Sequence, residues 1–342
     1  MSSTPLRRLL VVATALAFLT SGCSASAQPS GTPTASAPDA EAGSAGEHVV
    51  AREMAEGMGA SEPDGAFPRT VEHDAGSTKL ETAPKRIAVV STGQLDALLA
   101  LGTVPVAATR AEASALVPAY LAEAFPERAE ALDDLEDIGE RTEPSLEAIA
   151  ASEPDLILIN SVRGAELFDR LSTIAPTVVT LGNGVNWKSD FLLLADALGM
   201  EGDAQDVLDG LHRDADAFAA GLDDAPTVSF LQSAGLRMRI MGLPSFTGGI
   251  AEDLGLGRPE SQRFDETSQD LSPEQLQAAD ADWLFYAVEG DGAAALLEAP
   301  LWPSLGAVRG GSAVEVDLDP FFMNAGPVAA RLAQDRIVDA LG

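Results

Sequence analysis

One stretch of this sequence occurs twice, and the repetition limits the folds open to the chain more than any other feature. Residues 144–160, PSLEAIAASEPDLILIN, return in altered form as residues 271–287, LSPEQLQAADADWLFYA. The aligned copies share Ser145 with Ser272, Glu147 with Glu274 and Asp155 with Asp282. In each copy a serine precedes apolar residues at helical spacing, and an apolar run follows the aspartate, so a capped helix leading into a buried strand is predicted. The repetition therefore predicts two lobes of similar construction.

Short apolar strands alternate with helices on both sides of this repeat. Strands of the buried type are predicted at residues 86–90, 156–159 and 227–232, and the segments between them have helical periodicity. Such alternation indicates mostly parallel sheets covered by helices on both faces. A helix predicted over residues 203–222, about 30 Å long at 1.5 Å per residue, separates the two series. We therefore predict an α/β fold in which two Rossmann-like lobes are joined by a single long helix.

The N-terminal residues have the pattern of an export signal. Arg7 and Arg8 precede an apolar stretch, residues 9–19, that has the length of a signal peptide and is short for a spanning helix. The stretch runs into LTSGC and ends at Cys23, the only cysteine of the chain. Small residues before a lone cysteine are typical of a lipoprotein signal, although Thr20 stands where such signals usually carry Leu, Ile or Val. Ordinary secretion with a free Cys23 is the alternative.

The predicted divisions of the chain follow from these patterns. Residues just after Cys23 are mostly Ala, Ser, Pro, Thr and Gly, which cannot bury enough apolar area to fold. The divisions are a signal peptide at 1–22, a lipidated cysteine and disordered tether at 23–60, an N-terminal α/β lobe at 61–200, the linking helix at 201–224 and a C-terminal α/β lobe at 225–342. We expect the protein on the outer face of the cytoplasmic membrane, held there by lipidated Cys23.

Charge and composition exclude several classes of function. The chain has 53 acidic and 21 basic residues, a formal net charge of -32, and no basic stripe, so nucleic-acid binding is not expected. Because Cys23 is the only cysteine and precedes the folded part, that part has no thiol for a disulfide or a metal site. The three histidines, His48, His73 and His212, are too scattered to suggest a metal site built from protein side chains.

Residues 67–342 resemble the substrate-binding lipoproteins of iron–siderophore and cobalamin ABC importers, the helix-linked class III periplasmic binding proteins. The resemblance lies in an ordered series of segments that includes FPRTVEHDAG, LDALLALGTVPV, SLEAIAASEPDLILI, SPEQLQAADADWLFY and PLWPSLGAVRGG. It implies a monomer that captures a ferric siderophore between its lobes and delivers it to a membrane permease dimer. No cofactor of its own is implied, because the iron enters as a pre-formed complex. In this family a glutamate on each lobe docks onto arginines of the permease, and the matching positions are Glu147 and Glu274.

The resemblance also places the ligand between the lobes, where loops leave the carboxyl ends of the strands. A ferric siderophore is rich in oxygen and often anionic, so arginine forks and aromatic faces suit it. The candidates of the N-terminal lobe are Arg110, Arg141, Arg163 and Trp187. The candidates of the C-terminal lobe are Arg237, Arg239, Phe246, Tyr286 and Phe322.

Other cargoes and another class of function stay open at this point. Cobalamin or haem is the alternative ligand within the same class, and haem would favour a Tyr or His ligand. An exported α/β enzyme is the remote alternative, but no GxGxxG follows a first strand and no GxSxG occurs, so no catalytic residue is predicted. Among siderophores the arginines favour an anionic catecholate, carboxylate or mixed chelate, with a hydroxamate also open.

Overall fold

The computed structural model describes residues 52–342 except 112, 113, 183 and 236. The predicted signal peptide, Cys23 and the tether as far as residue 51 lie outside the described residues. The N-terminal lobe contains strands β1 Arg69–His73, β2 Gly76–Leu80, β3 Ile87–Val89, β4 Ala107–Arg110, β5 Glu136–Glu140, β6 Glu143–Pro144, β7 Leu156–Asn160 and β8 Thr177–Thr180. Its helices are α1 Gln94–Ala100, α2 Ala119–Ala124, α3 Ala129–Asp133, α4 Leu146–Ala151, α5 Ser161–Leu171 and α6 Trp187–Leu198.

The sheet of the N-terminal lobe has six strands in the order β6-β5-β4-β3-β7-β8, all parallel except the β5–β6 pair. Alternate residues of β7 face two different cores. Leu156 and Leu158 belong to one apolar cluster, and Ile157 and Ile159 belong to another. The continuous apolar run of β7 is thus explained by helices packed on both faces of the sheet.

The second lobe follows the linking helix α7, Glu201–Ala219. Its strands are β9 Val228–Ala234, β10 Arg237–Met241, β11 Ser268–Leu271, β12 Trp283–Glu289 and β13 Ala313–Glu315, and its helices are α8 Phe246–Asp253, α9 Gly292–Leu297, α10 Gly306–Gly310 and α11 Pro327–Leu341. The sheet order is β11-β10-β9-β12-β13, with β9, β12 and β13 parallel and β10 antiparallel to both its neighbours. The predicted fold, two Rossmann-like α/β lobes joined by one long helix, is confirmed.

The two copies of the repeated stretch occupy equivalent places in the lobes. The carboxylate of Asp155 accepts the backbone N–H groups of Lys85 and Arg86, just before β3, at 2.8 to 3.0 Å. The carboxylate of Asp282 accepts the backbone N–H and the hydroxyl of Thr227, just before β9, at 2.8 and 2.7 Å. In each lobe the repeated aspartate therefore holds the start of the neighbouring parallel strand. The preceding helix is α-helical in the first copy and 3-10 in the second, Pro273–Ala279.

The last helix, α11, connects the lobes a second time. It packs on α8 of the C-terminal lobe, to which it was assigned, and also on α1 of the N-terminal lobe and on α7. Asp96 of α1 accepts the N–H groups of Val328 and Ala329 at 2.9 Å and the hydroxyl of Tyr120 at 2.8 Å. The first turn of a helix has unpaired N–H groups, and Asp96 satisfies two of them from the opposite lobe.

Residues 54–60, which the prediction assigned to the tether, contact the N-terminal lobe. Ala55 donates its N–H to Ser189 Oγ at 2.9 Å, and Ala60 donates its N–H to Asp196 Oδ2 at 2.8 Å, both on α6. Met54 and Met58 pack against the core. These methionines bury the apolar area that the Ala/Ser/Pro run lacks, so the ordered lobe begins before residue 61. In the described part of the chain no helix combines the length and the hydropathy needed to cross a membrane.

Candidate functional site

A cavity of about 470 Å³ lies between the lobes and is lined by residues of both. The N-terminal lobe reaches it with the segments that follow β3, β7 and β8, at the carboxyl ends of parallel strands, where open α/β sheets bind ligands. The C-terminal lobe contributes the start of α8 and the turn before α11. Lining residues include Ser91, Thr92, Gln94, Arg141, Asn160, Thr180, Trp187 and Asp190 of the N-terminal lobe and Met241, Ser245, Phe246, Phe321, Phe322, Met323 and Asn324 of the C-terminal lobe.

Aromatic rings of both lobes form much of the apolar wall. Trp187, the first residue of α6, meets Phe246, the first residue of α8, edge to face with ring centroids 5.7 Å apart. The rings of Phe321 and Phe322, in the π-helical turn Asp319–Met323, have centroids 6.2 Å apart. These rings suit a ligand with flat apolar faces, because aromatic side chains bury large areas at fixed geometry.

The polar lining is rich in hydrogen-bond donors. Arg141 is half-buried and donates from Nη1 to Thr92 Oγ1 at 3.1 Å. Gln94 accepts the N–H of Ser91 with Oε1 at 3.2 Å, while its Nε2 is buried without a partner. The indole N–H of Trp187 is also buried without a partner. Because those two nitrogens are fully buried, half-buried Arg141 is the best placed of these three residues to donate to a ligand.

Asp190, in the first turn of α6, is the carboxylate among the described lining residues. Its oxygens accept the N–H groups of Leu181 and Gly182 at 2.8 Å and thereby hold the loop that follows β8. Burial raises the pKa of Asp190 to about 7, although these two hydrogen bonds act in the opposite direction. Its negative charge is therefore partly suppressed near neutral pH.

Four of the predicted ligand residues line the cavity: Arg141, Trp187, Phe246 and Phe322. Phe246 begins α8 directly after Ser245, whose hydroxyl caps the helix by accepting the N–H of Gly248. Gly93 has a positive φ and no side chain. The missing side chain lets the segment after β3 approach the C-terminal lobe, because a Cβ at this position would lie 2.5 Å from the carbonyl oxygen of Ala325. Whether these four side chains bind a ligand stays a prediction.

Two predicted arginines are instead held in surface ion pairs. Arg110, the last residue of β4, contacts Asp137 at 3.0 Å and Glu140 at 2.8 Å, both on the adjacent β5. Arg237 contacts Asp270 of the adjacent β11 at 2.7 Å. Neither residue is among those lining the cavity. In so acidic a chain, an arginine at a strand end finds a carboxylate on the neighbouring strand.

The remaining candidates also differ from the prediction. Tyr286 lies in the middle of β12, because the strand continues to Glu289, and it packs edge to face on Trp302 with ring centroids 4.9 Å apart. Arg239 is half-buried on β10 and outside the cavity lining, and burial lowers its pKa. Arg163 lies in the first turn of α5 rather than in a loop, and its side chain is outside what the structure describes.

The two predicted docking glutamates occupy matching exposed positions. Glu147 is the second residue of α4, after the capping Ser145. Glu274 is the second residue of the 3-10 helix that follows Ser272. Its own backbone N–H and the hydroxyl of Ser272 lower the pKa of Glu274, so this carboxylate stays ionised.

The polar lining residues that the prediction did not name include Gln94 and Asp190. Gln94 follows the first parallel strand in STGQLD, and the strand-end rule could have identified it. Asp190 carried no such signal, because a carboxylate in the first turn of a helix is common in any α/β protein. The described residues contain no cluster of His, Cys, Asp or Glu arranged to hold a metal ion.

Comparison with known proteins gives consistent matches to this chain and its fold. Residues 87–319 match the family model described as periplasmic binding protein. The chain is 33% identical over 288 residues to the probable siderophore-binding lipoprotein YfiY of Bacillus subtilis, covering 79% of this chain and 86% of that protein. It is 28% identical over 279 residues to the Fe(3+) dicitrate-binding periplasmic protein FecB of Escherichia coli, covering 80% and 90%.

A solved structure with the same fold is Staphylococcus aureus SirA complexed with staphyloferrin B. The TM-score is 0.70 at 26% sequence identity, and the match covers 80% of this chain and 98% of that chain. The two relatives from Bacillus subtilis and Escherichia coli are named for what they bind.

Proposed function

Since the chain belongs to the periplasmic binding protein family, we propose that it binds a ferric siderophore between its lobes and delivers it to the permease of an ABC importer. The observation that carries this proposal is the donor-rich, aromatic cavity formed by both lobes. Relatives named for siderophore and ferric citrate binding support the choice of cargo. Iron would enter already chelated, with no cofactor of the protein's own.

The place of action follows from the same proposal. The chain works outside the cytoplasmic membrane, as expected of a protein related to a lipoprotein and to a periplasmic binding protein. We propose that Cys23 is lipidated and anchors the chain to the outer face of that membrane. Cys23→Ala is expected to move the protein from the membrane fraction to the soluble fraction, which immunoblotting of fractionated cells would measure. Retention of the variant in the membrane would contradict anchoring by Cys23.

Binding between two lobes requires that they separate and close around the ligand. Here the lobes are connected by α7 and again by α11, whose first turn is held by Asp96 of the opposite lobe. Two helical connections restrain opening more than flexible strands would, so we expect small lobe movement. On binding, the oxygen atoms of the ligand give up hydrogen bonds to water and accept hydrogen bonds from donors of the cavity. No covalent bond forms or breaks.

Titration of the purified full-length chain with ferric siderophores, cobalamin and haem tests the proposed cargo. Saturable binding of one ferric chelate per protein, followed by quenching of tryptophan fluorescence, is the expected result. Tighter binding of cobalamin or haem would contradict the proposed cargo and would leave the proposed role in transport intact. Chemical change of the ligand during the titration would instead indicate an enzyme.

Delivery is proposed to depend on Glu147 and Glu274, which stand at equivalent helix starts of the two lobes. The double variant Glu147→Ala/Glu274→Ala is expected to bind the ferric siderophore with unchanged affinity and to lose siderophore-dependent iron uptake in cells. The matched control is Glu143→Ala/Glu266→Ala, which removes two other exposed carboxylates. Equal uptake by the two double variants would contradict docking through the repeated glutamates.

A further inference from the structure

Just before α11, the chain crosses from the C-terminal lobe back to the N-terminal lobe. Residues 323–326, the crossing segment, connect the π-helical turn Asp319–Met323 to α11. All four residues of the crossing segment line the cavity between the lobes. Met323 and Ala325 are half-buried, so part of their surface is open. A ligand in the cavity therefore meets the connection between the lobes as well as the lobes themselves.

The start of the crossing segment is fixed to the sheet of the C-terminal lobe. The ring of Phe321, directly before the segment reaches Met323, stacks on Phe285 of β12 with centroids 6.4 Å apart. Met323 Sδ accepts a hydrogen bond from Gln232 Nε2 of β9 at 3.7 Å. Both contacts are with strands in the middle of that sheet, so this end of the segment moves with the C-terminal lobe.

The far end of the crossing segment is fixed to the N-terminal lobe. Asp96 of α1 accepts the N–H groups of Val328 and Ala329, in the first turn of α11, each at 2.9 Å. A Cβ on Gly326 would overlap Asp96 Oδ1, so the absence of a side chain at residue 326 lets the carboxylate come this close. The segment is therefore held between the two lobes, with one end on each.

Asp96 acts on the cavity from outside it. This residue is 1% exposed and is not among the described residues that line the cavity. The N–H groups that it accepts have no partner within the helix, because they belong to the first turn of α11. Their hydrogen bonds to one rigidly placed carboxylate set the position of α11 on α1, and with it the position at which the crossing segment ends.

We propose that Asp96 is a positioning residue for ferric siderophore binding, because its hydrogen bonds between the lobes hold the crossing segment where that segment completes the cavity wall. The inference rests on the proposed function and adds to it a residue that sets the affinity of the site without touching the ligand. When the segment is released from α1, only a fraction of the molecules has a complete wall. The apparent affinity falls by that fraction.

The test begins with calorimetric titration of the full-length chain with ferric citrate, ferric enterobactin and ferrichrome. The chelate that the unaltered chain binds most tightly is then titrated into Asp96→Asn, which has the same shape and one acceptor oxygen fewer. The variant is expected to bind this chelate about tenfold more weakly, because one hydrogen bond between the lobes is lost. The loss is expected mainly in a faster dissociation rate, which stopped-flow fluorescence measures.

Matched variants separate positioning from a general loss of stability. Asp155 also accepts two backbone N–H groups, but within one lobe, and it is not among the described lining residues. Asp155→Asn is expected to lower the free energy of unfolding and to leave the affinity unchanged. Tyr120→Phe removes the hydrogen bond that Asp96 accepts within its own lobe and keeps both bonds to α11, so its affinity is also expected to stay unchanged.

Hydrogen exchange measures the position of the segment directly. Amide exchange of residues 321–329, followed by mass spectrometry without ligand, is expected to be faster in Asp96→Asn than in the unaltered chain and in Asp155→Asn. A residue that only stabilises its own lobe would not have this local effect.

A second variant tests the same contact from the other side. Gly326→Ala places a methyl group against Asp96 and is expected to displace the segment and weaken binding about tenfold. Its control is Gly310→Ala, where a Cβ would have no described atom closer than 3.7 Å. Thermal unfolding shows whether each variant is folded at the titration temperature, and this pair decides the question if Asp96→Asn is not.

The outcomes for this inference and for the proposed function differ. Unchanged affinity in Asp96→Asn or Gly326→Ala, measured on a folded variant, overturns the inference and leaves siderophore transport intact. An equal loss of affinity in Asp155→Asn also overturns it, because general destabilisation would then be responsible. If no ferric chelate binds the unaltered chain, the proposed function fails and the inference fails with it.

Discussion

Trp187 and Lys188 are neighbours in the first turn of α6, yet the structure treats their polar atoms in opposite ways. Trp187 lines the cavity, and its indole N–H is buried without a partner. The ammonium of Lys188, which is 1% exposed, lies 2.5 Å from Asp253 Oδ2 on α8 of the other lobe. Arg52 approaches the second oxygen of Asp253 at 3.5 Å. The ammonium of Lys188 is thus paired across the lobes, whereas the neutral indole N–H beside it is buried without a partner.

The paired side of this comparison is the junction of α6, α7 and α8, formed by Arg52, Lys188, His212 and Asp253. Burial lowers the pKa of Lys188, and Asp253 opposes that shift. Burial, with Lys188 as the next cause, lowers the pKa of His212 on α7 to about 4, so this histidine is neutral at pH 7. Burying charges is costly unless they are paired, which explains why the buried ammonium of Lys188 lies against Asp253.

The largest effect we expect is the loss of stability on removing the buried ammonium of Lys188. Lys188→Met leaves Asp253 facing an apolar side chain and is expected to lower the free energy of unfolding by about 3 kcal/mol, because a buried pair is broken on one side only. Urea unfolding followed by circular dichroism measures the loss. Lys188→Met/Asp253→Leu removes both charges and is expected to recover most of it. Equal loss in the single and double variants would show that packing, not the unpaired charge, is responsible.

The next largest loss of stability is expected from substituting Asp96, which accepts N–H groups of α11. Asp96→Asn cannot accept three hydrogen bonds and is expected to lower the free energy of unfolding by about 2 kcal/mol at pH 7. Tyr120→Phe is the matched change, because it removes one of the three donors and leaves the carboxylate in place. A loss no larger than that of Tyr120→Phe would contradict a role for Asp96 in holding α11.

The same residue predicts a pH dependence with a definite sign. Burial raises the pKa of Asp96 to about 6, so the folded protein binds this proton more tightly than the unfolded chain. Its contribution to the free energy of unfolding therefore falls as the pH rises from about 4 to about 6. The gap between the unaltered chain and Asp96→Asn is expected to be wider at pH 4 than at pH 7. A gap that narrows toward low pH would contradict this assignment.

The smallest effects we expect concern Arg141, which lines the cavity, and Arg110, which does not. Arg141→Ala is expected to weaken ferric siderophore binding about tenfold, as for one charge-assisted hydrogen bond, with little change in unfolding. Arg110→Ala removes a solvent-exposed ion pair and is expected to change neither affinity nor melting temperature measurably. Titration and thermal unfolding of both variants check this pair. Weaker binding by Arg110→Ala would bring that residue back into the ligand site.

The lobes, their parallel strands and the helix between them were predictable from the sequence. Buried strands such as Leu156–Ile159 are marked by continuous apolar residues, and the repeated Ser and Asp residues mark equivalent positions in each lobe. Periodicity and capping are local properties, so they can be recognised without knowing which elements are neighbours. The boundary near residue 60 was harder, because only Met54 and Met58 indicate packing in that segment.

The site was only partly predictable, and Arg110 and Arg141 show why. Both were placed near strand ends of the N-terminal lobe, and nothing in the sequence distinguishes them. The register of β4 against β5 brings Asp137 and Glu140 to Arg110, whereas Arg141 meets Thr92 at the cavity. The position of Tyr286 within its strand was not predictable for a similar reason, since the length of β12 depends on its pairing with β9 along the whole strand.

Sequence alone determined that this chain forms two α/β lobes joined by a helix, because hydrophobic periodicity and caps act over a few neighbouring residues. Only the tertiary structure decided which polar side chains are paired and which are left without a partner. That choice depends on atoms far apart in the chain, as when Asp253 meets Lys188 while Trp187 beside it keeps an unpaired N–H. Hydrogen bonds and ion pairs need contact within a few ångströms, and such contacts exist only after the lobes have packed.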